Sequence, residues 1–214
     1  GVSVFGSGAT KEEAEAPWIH RVGDDCLAVV PATTKMNLPR GRLAYAAYYP
    51  KRRMHDLVAN VKLARDRCSM VIVSIHWGVQ YAEQPEEWMR ALGVRLLDAG
   101  ALAVVGHHPH VLGAIEFVGD KPIVYSLGNL VFSNPDVKTR RTGVLELDIS
   151  TSGKQRVAAA RLVPVFIEKR PYNPRLMTEA EGQTLGERLD AISAPYNASV
   201  TFESGTLSLR PKTR

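Results

Sequence analysis

Hydrophobic positions recur in two rhythms along the chain. Between Arg52 and Arg67 the apolar residues Met54, Leu57, Val58, Val61 and Ala64 fall on one face at helical spacing, which predicts an amphipathic helix. Met70-Val71-Ile72-Val73-Ser74-Ile75 follows at once, a β-branched run that predicts a buried strand. A second helix is predicted from Pro85, with Glu86 and Glu87 at its positive end, Trp88, Leu92 and Leu96 on one stripe, and Gly100 as its stop. Leu102–Val105 is then a second short buried strand. Helix, strand, helix, strand with short connections predicts an α/β unit whose strands lie side by side and parallel.

The flanking segments follow a different rhythm. Thr10 is the predicted N-cap of a short helix over Lys11–Ala16, and Pro17 stops it. Trp18–Val22 and Cys26–Val30 read as strands joined through Gly23-Asp24-Asp25. From Pro31 to Lys51 the pattern dissolves into Pro, Gly, Thr and Asn, which predicts a long surface loop. Beyond it, strands are predicted at Ala114–Val118, Pro122–Tyr125, Val144–Ile149 and Arg161–Ile167, a helix at Glu179–Ile192, and a closing hairpin at Ser199–Leu209. The expectation is one α/β domain over residues 1–214 with an antiparallel C-terminal tail. Residue 1 is Gly and Val2–Phe5 already reads as a strand, so the chain is expected to be a piece of a longer protein.

Composition narrows this reading without redirecting it. The 214 residues are 45% hydrophobic and 23% charged, which excludes disordered, collagenous and coiled-coil chains. The longest apolar stretch, Val157–Ile167, contains Arg161 and Pro164 and falls short of the roughly 20 residues of a membrane helix. The net charge of +5 is spread out, apart from clusters at Lys138–Arg141 and Lys154–Arg156 that lack aromatic interleaving. That pattern favours anionic partners mildly and does not point to nucleic acid. Cys26 and Cys68 allow at most one bridge, and both are expected as buried thiols beside apolar runs.

The candidate chemistry is concentrated in histidines. Gly106-His107-His108-Pro109-His110 follows the strand Leu102–Val105, and His76 ends the neighbouring predicted strand. Ligands bind beyond the carboxyl ends of parallel strands, so the connectivity delivers His76 and the His107–His110 group to one edge. Neutral imidazole is a good ligand for Zn, Mn, Fe or Ni. An extended His108-Pro109-His110 would point both rings to one side, and Pro109 biases His108 toward that geometry. With His76 this makes three nitrogen ligands with room for water; the alternative is a loop of solvated histidines with His76 as an ordinary strand end. A two-metal hydrolytic centre also needs a bridging carboxylate. Asp98 belongs at the far end of its helix, Asp120 in a hairpin turn, and Glu116 on a strand face as an outer partner or a plain polar residue. The set of ligands for two ions is therefore incomplete on this chain. Asn129, after Tyr125-Ser126-Leu127-Gly128, could orient a water or phosphate oxygen or simply form a turn. Trp77 and Tyr81 are expected either at an apolar rim or in packing.

Three blocks carry a family resemblance. They are Val71-Ile72-Val73-Ser74-Ile75-His76-Trp77-Gly78, then Asp98-Ala99-Gly100-Ala101 with Val105-Gly106-His107-His108-Pro109-His110-Val111, then Lys121-Pro122-Ile123-Val124-Tyr125-Ser126-Leu127-Gly128-Asn129. In order and spacing they closely resemble the capsule-synthesis protein CapA family of poly-γ-glutamate biosynthesis. That family is similar to calcineurin-like metallophosphoesterases, so the resemblance implies a partial metallophosphoesterase-like β-sandwich flanked by helices. It implies His76, His108 and His110 as metal ligands, with His107 as a neighbour or alternative ligand. His107 and Asn129 are then the candidate catalytic residues. It further implies a divalent cofactor, two ions of Mn, Zn or Fe in the full-length protein. The family's N-terminal Gly-Asp, Asn-x-Glu and Asn-Asn-His blocks have no counterpart here, and Gln80 and Leu102 stand where acids are common. The implied function is a metal-dependent, hydrolase-type step on an anionic polymer or phosphoester. The alternative is a non-catalytic binding or assembly subunit of a capsule-synthesis membrane complex. A single-zinc hydrolase complete in itself is a third reading. The implied location is the extracytoplasmic face of the cell envelope.

Overall fold

A computed structural model describes residues 3–36, 45–132, 134–153 and 155–212. The chain opens with β1 (Ser7–Gly8) and α1 (Lys11–Glu15), whose start is capped by the Thr10 side chain accepting from the Glu13 backbone N–H. The hairpin β2 (Trp18–Val22) and β3 (Asp25–Thr33) follows as predicted, although β3 runs three residues further than its apolar pattern suggests. Part of the expected loop over Pro31–Lys51 is ordered core structure instead. Pro31–Thr33 continue β3, β4 (Tyr45–Ala46) pairs with β1, and Ala47 and Tyr49 are buried; residues 37–44 lie outside the described residues.

The α/β unit is built as its periodicity predicts. In α2 (Met54–Arg67), Leu57, Val61 and Ala64 are buried on one stripe. Next come β5 (Met70–His76), α3 (Glu87–Asp98), β6 (Ala103–His107), and the antiparallel pair β7 (Ile115–Val118) and β8 (Lys121–Val124). The sheet order is β2-β3-β5-β6-β8-β7, with the neighbours β3, β5, β6 and β8 parallel to one another. Val71, Val73 and Ile75 pack toward Leu57, Val61, Leu92 and Leu96 of the helices. Each such side chain, fully buried, stabilises the fold by about 1.5–3 kcal/mol.

What was expected as a tail is a second sheet. It contains β9 (Arg141–Ser150), β10 (Arg156–Ile167), β11 (Pro174–Leu176), β12 (Ala198–Glu203) and β13 (Thr206–Pro211), all antiparallel. Helix α4 (Glu179–Ser193) packs beside them. Met70, Leu102, Ile115 and Phe117 on the back of the first sheet meet Leu162, Leu185, Leu189 and Leu207 in a second core. Two β-sheets with helices outside them are the arrangement that the family resemblance implies. Among the described residues no helix is long and apolar enough to cross a membrane.

The expectation of two buried thiols is overturned. Cys26 and Cys68 form a disulfide, with Cα atoms 5.0 Å apart. The cause is register: Leu27 lies opposite Met70 in the β3–β5 pair, which brings Cys26, just before Leu27, near Cys68, two residues before Met70. Closing a loop across 42 positions restricts the unfolded chain by an amount worth about 4 kcal/mol in the chain-entropy view.

Candidate metal centre

The parallel register sets His76, the last residue of β5, directly beside His107, the last residue of β6. Gly106 just before it has no alternative. Trp77, fully buried in the core, donates its indole N–H to the Tyr125 carbonyl at 3.0 Å, and a Cβ on residue 106 would run into both groups. Trp77 is thus core packing rather than part of a rim.

Beyond the strand the chain does not stay extended. His108 has φ 103° and His110 has φ 61°, against the extended geometry expected for His108-Pro109-His110. The reason lies in the facing segment: Trp77 N–H donates to the His107 carbonyl at 3.0 Å and Tyr81 N–H to the Pro109 carbonyl at 2.8 Å. Holding those two bonds forces the chain to turn at the residues between and after them. Left-handed backbone at a non-glycine residue is a strained choice that tends to persist at functional sites. The rings nevertheless gather, with centroids 4.5 Å apart for His76 and His108 and 6.1 Å apart for His108 and His110.

Two neighbours fix how the rings present themselves. Asn129 is buried, and its amide nitrogen donates to the Thr139 carbonyl at 3.0 Å. Its Oδ1 therefore accepts from His110 Nδ1 at 2.7 Å. The Thr33 hydroxyl donates to the Lys35 carbonyl at 2.7 Å, which leaves its oxygen to accept from His76 Nδ1 at 3.1 Å. Each network assigns the proton to Nδ1 and leaves the Nε2 lone pair free, the usual support of a metal-binding imidazole. His107 sits beside them with Nε2 3.2 Å from Ser74 Oγ. A hollow of about 190 Å³ lined by Thr33, Ser74, His76 and His107 opens at this edge.

Burial, helped by neighbouring imidazoles, favours the neutral form of His76, His107 and His108. Burial, then the neighbouring His76 and His110, pushes His108 down to about 4. Burial followed by His110 lowers His76, and burial followed by His76 lowers His107. An imidazole that resists protonation at neutral pH keeps its lone pair for a cation.

The acids stand elsewhere. Glu116 is buried and takes Arg90 Nε at 3.1 Å and Nη2 at 2.9 Å, with the Tyr125 hydroxyl at 2.5 Å. Asp98 closes α3, and Asp120 lines a hollow beside β10 and β13. Among the described residues no group of three or more His, Cys, Asp or Glu is arranged to hold a metal ion. The remaining histidines are apart from the cluster: His20 stacks on Trp18, and His55 meets Asp56. Tyr81 does stand at a rim, its exposed ring 6.5 Å from that of His110. Three residues near the histidines were not anticipated. Thr33 fell in the segment read as a loop, Phe132 approaches His110 at 5.3 Å, and Lys138 Nζ lies 4.9 Å over Tyr81. The basic run Lys138–Arg141 was the one available signal for the last.

The described Bacterial capsule synthesis protein PGA_cap family matches residues 1–134, which include Thr33, the four clustered histidines and Asn129. The chain belongs to the PGA_cap family. It is 39% identical over 145 residues to the PGA biosynthesis protein CapA of Bacillus subtilis, covering 68% of this chain and 37% of that protein. It is 36% identical over 157 residues to a Mycobacterium tuberculosis protein named "Probable polyglutamine synthesis accessory protein", covering 71% and 41%. The chain thus spans about two fifths of these PGA_cap relatives. Among solved structures, a phosphatase from Mycoplasma pneumoniae shares 13% identity at a TM-score of 0.39, covering 74% of this chain and 54% of that one.

Proposed function

We propose that this chain supplies the imidazole share of a divalent-metal centre in a hydrolase-type site, used in making or exporting a poly-γ-glutamate capsule. The observation that carries the reading is the pair of orienting bonds, Thr33 to His76 and Asn129 to His110, which leave Nε2 free on both rings. The donors fit Mn, Zn or Fe in kind, as neutral nitrogen ligands. They do not complete a two-ion centre, so the carboxylate share comes from outside the described residues. Bound there, a divalent ion supplies a Lewis acid and an activated water. His76, His108 and His110 hold it, Thr33 and Asn129 keep two of the rings in place, and His107 is the adjacent imidazole able to carry a proton. The substrate class is a phosphoester or amide-type bond in an anionic polymer. The Cys26–Cys68 disulfide supports an oxidising, extracytoplasmic setting. A second reading, an assembly subunit within a membrane-bound capsule complex, is favoured by the mycobacterial relative's printed role as an accessory protein.

Metal content of the intact protein is the test. The wild type is expected to retain divalent metal through desalting, and His76→Ala and the double change His108→Ala/His110→Ala to lose at least about nine tenths of it. Unchanged content in both variants refutes the assignment. Retained metal without Mn- or Zn-dependent cleavage of a phosphodiester or γ-glutamyl amide moves the protein to the second reading.

A further inference from the structure

Exposed apolar side chains gather where the histidines reach the surface. Leu130, Val131 and Phe132 are consecutive and all exposed, Val131 at 70%. Their base is Asn129, which is buried and bonded to both His110 and Thr139. The centroid of the Phe132 ring is 5.3 Å from that of His110, and the exposed Tyr81 ring is 6.5 Å from it on another side. Val79, two residues before Tyr81, and Val137, which opens the turn Val137–Arg140, are exposed as well. Apolar residues exposed singly are ordinary, whereas six around one edge form a patch.

The form of the tip says what it meets. Residues 130–132 lie outside helix and strand. Successive side chains point in different directions, so a flat partner surface covers one side of such a segment and leaves the others wet. Three successive apolar side chains, all clear of the fold, are covered together by a medium that closes round them, and the interfacial layer of a bilayer is one. The charges beside the tip agree. Lys138 Nζ lies 4.9 Å over the Tyr81 ring and meets Asp136 at 3.6 Å on the surface. Arg141 is exposed and makes no ion pair among the described residues. Cations beside an exposed apolar tip complement anionic headgroups. Tyrosine and lysine, each with an apolar body and a polar end, suit that depth.

We infer that the tip 130–132, with Tyr81, Val137, Lys138 and Arg141 beside it, docks on the headgroup layer of an anionic lipid bilayer and holds the histidine edge against that surface. The inference needs neither a bound metal nor an acidic polymer.

An environment-sensitive fluorophore on Val131→Cys tests it, because Cys26 and Cys68 are tied to each other and leave the new thiol free to react. The intact protein, in EDTA, is titrated with vesicles of equimolar phosphatidylglycerol and phosphatidylcholine, and separately with vesicles of phosphatidylcholine alone. With the anionic vesicles the label is expected to shift to the blue and to become protected from aqueous iodide. Lys138→Gln/Arg141→Gln should raise the lipid concentration at half-shift about tenfold, and omitting phosphatidylglycerol should do the same. Leu130→Ser should raise it about fivefold. The same fluorophore on Leu63→Cys should stay in water: Leu63 is exposed on α2, toward the end of the sheet opposite His76. His108→Ala/His110→Ala should leave the Val131 signal unchanged, so a failed metal assignment does not touch this result. Every residue altered at the tip and its cations is exposed, and an unchanged thermal melt confirms that those variants are folded. The inference is overturned if the Val131 label does not respond to anionic vesicles, which is the outcome expected of a tip that docks on a protein instead. An equal response at Leu63, or equal half-points with and without the two cations, overturns it too.

Discussion

Two polar clusters in the first sheet, one at β7 and α3 and one at the ends of β5 and β6, treat charge in opposite ways. Around Glu116, every charge has a partner: the carboxylate takes two bonds from Arg90, and the Tyr125 hydroxyl donates a third. Burial, and then that carboxylate, raises Tyr125 and keeps its proton in place as a donor. Around His76, three imidazoles crowd together and the supporting groups, Thr33 and Asn129, are neutral. A compensated cluster stabilises the fold. A set of neutral imidazoles without ion-pair partners adds little to it, and the metal centre proposed above is what would give that arrangement a use. The two clusters thus differ in charge compensation, one closed by ion pairs and the other held by neutral partners.

The largest effect should come from breaking the compensated cluster. Glu116→Ala leaves Arg90 without its main partner and Tyr125 without an acceptor. Removing one member of a buried pair costs about 3–5 kcal/mol, and partial exposure of Arg90 brings the expected loss to about 2–3 kcal/mol. His108→Ala removes an imidazole held at strained φ and should cost less than about 1 kcal/mol. Urea denaturation of the two variants compares them directly. If His108→Ala proves the more damaging, the histidine edge is a structural element and the contrast fails.

The next effect concerns the supports rather than the ligands. Asn129→Ala and Thr33→Val each leave a ring in place but release its Nδ1. Outer partners of metal-binding histidines are worth about 10–100-fold in affinity, so each change should weaken metal binding by that factor. The ligand substitutions, by contrast, should abolish it. Competition with a chromophoric chelator measures both. Wild-type affinity in both support variants would mean that the two bonds merely fill space.

How much of this could be read along the chain depends on the range of the interactions involved. The β5–α3–β6 unit was legible because its signals are local: a β-branched run, a helical stripe, a glycine stop. The meeting of His76 with His107 followed from the rule for parallel strands. The Cys26–Cys68 bond was not legible, because it depends on the register between β3 and β5, set 42 positions apart. Thr33 was missed for a related reason. It is polar and follows Pro31, so it reads as loop, while pairing with the end of β5 keeps it in a strand opposite His76. The turn at His108 runs against the local bias of a residue before proline, and bonds from the Trp77 and Tyr81 backbone N–H groups decide it and the turn at His110.

The smallest effect sets the lower end of the scale. Glu181 is a paired carboxylate like Glu116, but it stands at the exposed start of α4. Arg175 binds it at 2.7 and 2.8 Å, and the Thr178 backbone N–H caps it at 2.8 Å. Arg175, followed by the Thr178 cap, pulls its carboxyl down to about 2. A carboxylate whose folded value lies below its unfolded one stabilises the protein above the unfolded value, and that contribution fades as pH falls from about 4.5 toward 2. Solvent screens the pair, so Glu181→Gln should cost less than about 1 kcal/mol at pH 7, and the gap from the wild type should narrow by pH 3.5. Urea titrations at the two pH values measure this. A loss at pH 7 as large as that of Glu116→Ala would show that exposure does not separate the two carboxylates, and burial would no longer explain why one cluster holds the fold together.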